Sequence, residues 1–216
     1  MTGAQGVDRI PVLHAVTNDE IVLRTNFLDR ARRVMHAGGA RVAVHVRAPR
    51  LSGRRLYELA CSLAPLQDVT GAWLVVTERV DVALSSGARG VQLTSRSMAS
   101  SDARAIASRL AIGASVHSRA QADLATDGGA TWLVAGHADG ERHRDADGAG
   151  TDLVSEIAAG QVLPVIVIGG VRPEHLPALR GAGAYGVAVI RGVWNASDAG
   201  SAVIDYLSAH GTSGGR

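Results

Sequence analysis

The chain contains no lysine: all 22 of its basic residues are arginine. That absence removes Schiff-base aldolase chemistry, a pyridoxal phosphate anchor and a phosphate-loop lysine from consideration. Cysteine is nearly as scarce. The single one, Cys61, excludes a disulfide framework within the chain, and its place in an apolar stretch of a predicted helix marks it as a core residue rather than a nucleophile. Aromatic residues are only 3% of the chain while apolar residues make up 46%, so Val, Ala, Ile and Leu must build the core. Small branched side chains with abundant Ala and Gly suit close helix-to-sheet packing in an α/β protein. No apolar run approaches the length of a membrane span, and the N-terminus carries no apolar signal core, so no membrane association and a cytoplasmic location are expected. The arginines are scattered without interleaved aromatics and the net charge is +2, which gives nucleic-acid binding no support.

What is present is a rhythm. Between Ile10 and Leu207, short apolar runs alternate with amphipathic segments, the pattern of a parallel α/β sheet. The predicted strands are Pro11 to Val16, Arg41 to Val46, Ala72 to Val76, Gly90 to Leu93, Ile112 to Val116, Trp132 to Ala135, Pro164 to Ile168 and Tyr185 to Ile190. The predicted helices are Phe27 to His36, Gly53 to Leu66, Arg79 to Ser85, Ser101 to Ser108, Arg119 to Thr126, Asp152 to Ala159, Pro173 to Arg180 and Ala199 to Ser208. Such a run of repeats favours a closed, single-domain (β/α)8 TIM barrel over 10–210, after an N-terminal extension at 1–9. Glycines at AGGA, SGA, DGGA and GAGA supply the left-handed caps that return the chain from helix to strand. Residues 136–151, polar and Gly-rich, are expected to form a mobile lid after the sixth strand. Residues 211–216 read as a disordered tail.

In this architecture the active site lies on the loops that follow the strands. The most informative stretch there is PVIVIGGVRPEHLPALRGAGAYGVAVIRG, from Pro164 to Gly192. One strand stops at Gly169-Gly170, where missing side chains let backbone N–H groups approach an anion. The next ends at Ile190-Arg191, with a short helix expected to start near Arg191. A small phosphorylated ligand is the leading reading; the alternative is that these glycines only close tight turns. His45 and Arg47 share one direction by strand alternation, with the barrel mouth as one reading. Glu78, Gln92, Ser115, His117 and His137 also fall at strand ends; for His45 a structural role and for Glu78 a surface pair with a nearby arginine are the favoured readings, and His137 has the alternative of a solvated loop residue. His117 suits proton transfer because imidazole titrates near neutral pH; the competing reading is a structural rim histidine. No short His-x-x-x-His or Cys-rich spacing specifies a metal, so neither a metal nor a cofactor is expected.

At these residues the chain resembles the family that contains thiamine phosphate synthase and the TenI thiazole tautomerase. The matching segments are LHAVTN, AGGA, HVRAP, TERVDVALSSGARGVQL, GASVHS, AGH, VIGGV and GVAVIRG, in family order along nearly the whole length. Synthases join a pyrimidine diphosphate to a thiazole phosphate and need Mg2+ with cationic groups on the leaving pyrophosphate. Their Gln-x-Arg-x-Lys appears here as His45-Val46-Arg47-Ala48-Pro49, their Asn-Asp pair as Thr77-Glu78, their next Asp as Ser97, and their strand-six lysine has no counterpart. Those departures disfavour synthase activity. The resemblance instead implies a tautomerase, an isomerase of thiamine biosynthesis that aromatises a dihydrothiazole carboxylate phosphate by a proton shift at His117. Gly169, Gly170, Ile190 and Arg191 would hold the phosphate, with Arg47, Ser115 and His137 also contacting substrate. The alternatives are a non-catalytic or regulatory phosphate-binding relative, or another metal-independent isomerase or lyase of a small phosphate ester. The resemblance further implies a homodimer.

Overall fold

A computed structural model describes residues 9–136 and 151–211. Eight parallel strands close into a barrel in sequence order, β1 (Leu13–Val16), β2 (Val42–Val46), β3 (Trp73–Thr77), β4 (Gly90–Leu93), β5 (Ala111–Val116), β6 (Trp132–Ala135), β7 (Val165–Ile168) and β8 (Gly186–Val189), with β8 pairing back onto β1. The single-domain (β/α)8 expectation holds. Around the barrel run α1 (Asp19–Val22), α2 (Phe27–Gly38), α3 (Gly53–Leu63), α4 (Leu66–Thr70), α5 (Val80–Ser86), α6 (Ser100–Ile106), α7 (Arg119–Asp127), α8 (Thr151–Ala158), α9 (Leu176–Gly181), α10 (Arg191–Trp194) and α11 (Ala199–Gly211).

Most strand residues are buried on both faces, which is why they read as near-continuous apolar runs. Alternation sends Leu13, Ala15, Val42, Val44, Leu74 and Val76 outward to the helices. It sends Val16, Ala43, Trp73, Val75, Trp132, Val134, Ile166 and Ala188 into the barrel. Trp132 fills the interior because its neighbours give way: a Cβ on Gly113 would lie 2.2 Å from its ring, and one on Gly90 would lie 3.0 Å away. The indole N–H is not wasted; it donates to Gln92 Oε1 at 3.0 Å.

Several boundaries differ from expectation for local reasons. The single helix expected over Gly53 to Leu66 is two, divided at Pro65, which has no N–H to continue the ladder. The segment from Pro173 opens as a 3-10 turn (Pro173–His175) before α9, which carries a second proline, Pro177, near its start. Cys61 is half-buried rather than core: the buried stripe of α3 is Leu56, Ala60 and Leu63, and Cys61 sits one step off it. Gly211 belongs to α11, and 212–216 lie outside the described residues, as do 1–8 and 137–150, the body of the expected lid. At the SGA turn Gly87 has φ 75° and caps α5 with its N–H, the left-handed residue anticipated there. Among the described residues no helix is long and apolar enough to cross a membrane.

Candidate functional site

The C-terminal ends of the strands form a rim with two unlike halves. After β7, Gly169 and Gly170 have φ of 133° and 62°, and a Cβ on either would meet nothing within 4 Å. Both are exposed. Only glycine populates this backbone freely, and no side chain stands between its amides and solvent. After β8, Ile190 leaves the strand with φ −109° and ψ −83°, and α10 begins at Arg191, which is exposed. The two loops are tied together by a residue that sequence reasoning missed. Tyr206 on α11 donates its hydroxyl to Val171 O at 2.8 Å, and a Cβ on Gly192 would fall 2.3 Å from that same oxygen. Tyr206 thus sets the spacing between the double glycine and the start of α10, and Gly192 is required for the close approach. No sequence pattern announces this, because the tyrosine comes from the last helix.

The other half, after β2 to β4, is built from side chains. The Arg47 backbone is held on both sides by Thr17: its N–H donates to Thr17 Oγ1 at 2.9 Å, and the Thr17 hydroxyl donates to its carbonyl at 3.0 Å. Its guanidinium makes no ion pair or hydrogen bond among the described residues. Arg47, Thr77, Glu78 and Arg79 line a hollow of about 110 Å3. Thr77 Oγ1 is buried there without a partner. Glu78 is the only non-glycine with positive φ among the described residues, at 69°. A left-handed glutamate costs on the order of 1–3 kcal/mol, so the surroundings must hold it. They do: its N–H donates to Gln92 O at 2.9 Å, and Oε1 accepts from the Thr94 hydroxyl at 2.8 Å and from Arg96 at 2.9 Å. Partial burial by itself would raise the Glu78 pKa. The bonds from Arg96 and Thr94, with the charges of Arg96 and Arg47, outweigh that and hold the carboxyl below its ordinary value. Ser97 caps the turn, its Oγ accepting from Thr94 N–H at 3.0 Å. Thr94 and Arg96 were also missed, since no spacing rule links a loop after β4 to a carboxylate after β3.

Of the remaining candidates, His117 stands at the start of α7, whose cap is Ser118. Its Nδ1 lies 2.5 Å from Gly136 O. A carbonyl only accepts, so Nδ1 carries the proton and the lone pair of the neutral ring is on Nε2. Ser115 Oγ accepts from Gln92 Nε2 at 3.1 Å, just inside the rim. His137 lies outside the described residues. His45 does point into the barrel, but not into an open mouth. It is 2% exposed, its Nε2 is 2.8 Å from His14 Nδ1, and it packs edge-on to Trp132. Because His14 Nε2 must donate to Pro11 O at 2.9 Å, His14 Nδ1 accepts and His45 Nε2 carries a proton. Burial lowers the His14 pKa to about 4 and that of His45 well below 6.5, the neighbouring His14 adding to the latter. The pair is a neutral interior strut.

The fold family implies magnesium, and the residues present do not fit it. Mg2+ takes carboxylate oxygens in near-octahedral geometry. Here the Glu78 Oε1 is engaged by Arg96 and Thr94, Ser97 is spent on its turn, and no group of three or more His, Cys, Asp or Glu side chains suited to a metal exists among the described residues.

Comparison with known proteins bears on the chemistry. Residues 13–193 match the model of the family TMP-TENI, described as thiamine monophosphate synthase. A thiamine-phosphate synthase of Methanoculleus marisnigri is 35% identical over 189 residues, covering 86% of this chain and 89% of the relative. The thiamine-phosphate synthase of Pyrococcus abyssi is 36% identical over 162 residues, covering 74% and 78%. Among solved structures, a thiamine phosphate pyrophosphorylase from Pyrococcus furiosus superposes with TM-score 0.78 at 30% identity, covering 92% of this chain and 95% of the other. These relatives overturn the expectation of a thiazole tautomerase. They are named as synthases, not as isomerases, and the proton shift at His117 loses its support.

Proposed function

Because the chain belongs to the thiamine monophosphate synthase (TMP-TENI) family, we propose that it is a transferase of the thiamine-phosphate synthase type, joining a thiazole phosphate to a pyrimidine diphosphate with release of pyrophosphate. The observation that carries this reading is that relatives alike over most of the chain are named thiamine-phosphate synthases; the open double glycine and, apart from it on the same rim, Arg47, unpaired among the described residues, are consistent with two phosphorylated substrates. The open double glycine, Ile190 and Arg191 take the phosphate of the thiazole. Arg47, with the unpartnered Thr77 hydroxyl beside it, takes the diphosphate.

The thiazole nitrogen attacks the methylene carbon of the pyrimidine, a C–N bond forms, and the C–O bond to pyrophosphate breaks with its electron pair leaving on oxygen. Charge grows on the departing phosphate oxygens, so a fixed cation there favours the transition state over the ground state. In a chain without lysine that task falls to arginine, whose planar fork matches phosphate oxygens. Glu78 sets the position of Arg96 within the same cluster. Ser115 and His117, on β5 and the loop after it, are the residues assigned to contact the rings.

The test is turnover. Full-length protein with both substrates forms thiamine phosphate under this reading, and each substrate saturates independently. A folded protein that binds thiazole phosphate yet forms no product would reject it.

A further inference from the structure

A hollow of about 1030 Å3 opens at the opposite pole of the barrel, where the strands begin. Its base is apolar. Trp73, the first residue of β3, lies edge-on to Trp132 with ring centroids 6.4 Å apart. Leu110 and Leu163 flank it, and Tyr185 closes one side, its hydroxyl donating to Ile10 O at 2.8 Å. Its charge has one sign. Arg9, Arg89, Arg104 and Arg109 line it, and no acidic residue among the described residues does.

Two of these arginines are fixed in the wall. Arg104 donates to the carbonyls of Ser108, Leu110 and Gly129 at 2.8–3.2 Å, and Arg89 donates to Gly71 O at 3.1 Å. The carboxylate nearest Arg89, that of Asp68, is 4.0 Å away and 90% exposed. Arg9 and Arg109 make no ion pair or hydrogen bond among the described residues. Elsewhere the surface treats arginine differently, pairing Arg32 with Asp29, Arg54 with Glu58 and Arg119 with Asp123. Gathering like charges over an apolar base, with two of them unpaired among the described residues, is unfavourable and is relieved when something anionic occupies the hollow. A site of apolar walls with a few convergent charges has the general make-up of a small-molecule pocket.

We propose that this floor hollow is a second ligand site, distinct from the rim, for an anion with a flat apolar body: an aromatic carboxylate, sulfonate or phosphate ester. The ring lies against Trp73 and the anionic group meets Arg9 and Arg109. The substrates of the rim reaction do not reach it, because the barrel interior between the poles is filled by Trp132, Gln92, His14 and His45.

The test uses the fluorescent sulfonate 8-anilinonaphthalene-1-sulfonate with the full chain, in the presence of saturating inorganic phosphate to occupy the rim. Saturable binding is expected, and the uncharged analogue N-phenyl-1-naphthylamine should bind about tenfold or more weakly, as should the double variant Arg9→Ser/Arg109→Ser. Both substituted residues are exposed, so the variant should fold; if it does not, the charged-against-neutral comparison on the unaltered chain still decides. Equal affinity for charged and neutral probes, or affinity of the double variant within twofold of the parent, would overturn the proposal. So would binding that appears only when residues 1–8 are removed, since the hollow would then belong to the chain's own N-terminus.

Discussion

Under the proposed function, the two halves of the rim hold phosphate with opposite materials. The β7–β8 half uses backbone freed of side chains at Gly169 and Gly170. The β2–β4 half uses side chains held by other side chains: Glu78 in a left-handed conformation, Thr94 and Arg96 on its carboxylate, and Arg47 beside them. The difference teaches where sensitivity should lie. A backbone grip is damaged by adding atoms, and a side-chain cluster by removing them. It also separates affinity from rate, because the first half anchors a group that does not react and the second faces the leaving group.

The largest expected effect follows from removing the cation at the leaving group. Arg47→Ala should lower kcat/KM by about 10²- to 10³-fold, the range typical of losing one preorganised charge donor. The KM for thiazole phosphate should stay within about twofold, by the anchor-and-rate separation argued above. Steady-state kinetics with each substrate varied in turn check this; a loss confined to thiazole phosphate KM would reverse the assignment of the halves. Next is the converse change. Gly170→Glu adds bulk and a like charge to the grip, and losing charge-assisted bonds of about 1.5–3 kcal/mol should raise thiazole phosphate KM tenfold to a hundredfold with a smaller effect on kcat.

Acid should also tell the side-chain half from the interior beneath it. His14 is neutral in the fold and its pKa is lowered to about 4. The unfolded chain therefore binds the extra proton first as pH falls from 6.5 to about 4, and about 3 kcal/mol of stability is lost across that window. Glu78 is depressed instead, so its contribution is present above the ordinary 4.5 and is lost as pH falls through the lower folded value. Denaturant titrations should show Glu78→Gln flattening only the limb below about pH 4.5, with the limb between 6.5 and 4 unchanged. A variant that changes the upper limb would mean that Glu78 and the histidine pair are coupled. The smallest effect is expected at Tyr206→Phe. It loses one hydrogen bond, about 1 kcal/mol, for a fall in Tm of about 2–4 °C, with a severalfold rise in thiazole phosphate KM because the two glycine loops are no longer held in register. An unchanged KM would leave Tyr206 as packing alone.

The same contrast explains what could be read from the sequence. Strand periodicity and glycine caps are local, so β4 and β6 fall on their expected bounds and the barrel follows from the repeat. The double glycine was legible for the same reason: its meaning depends on the two residues and the strand before them. Glu78 was read as paired with a nearby arginine and is, to Arg96; Arg96 itself, Thr94 and Tyr206 were not legible, because each acquires its role from a partner in another loop or helix. The structural reading of His45 holds. Alternation placed it inside the barrel correctly, but only the depth of Trp132 and His14 shows that it lies a layer below the mouth. The inference from absent lysine and aspartate to an isomerase failed because it weighed lost synthase residues one by one, while the relatives alike over most of the chain are named thiamine-phosphate synthases.

The central claim is that both halves of the rim act in one turnover. Its most direct test is the stoichiometry of a reaction with the full-length protein and both phosphorylated substrates, following pyrophosphate and thiamine phosphate together. The account predicts one pyrophosphate released for each thiamine phosphate formed, with neither product appearing when either substrate is withheld. Pyrophosphate release without thiamine phosphate, or no product from protein that binds both substrates, would contradict it.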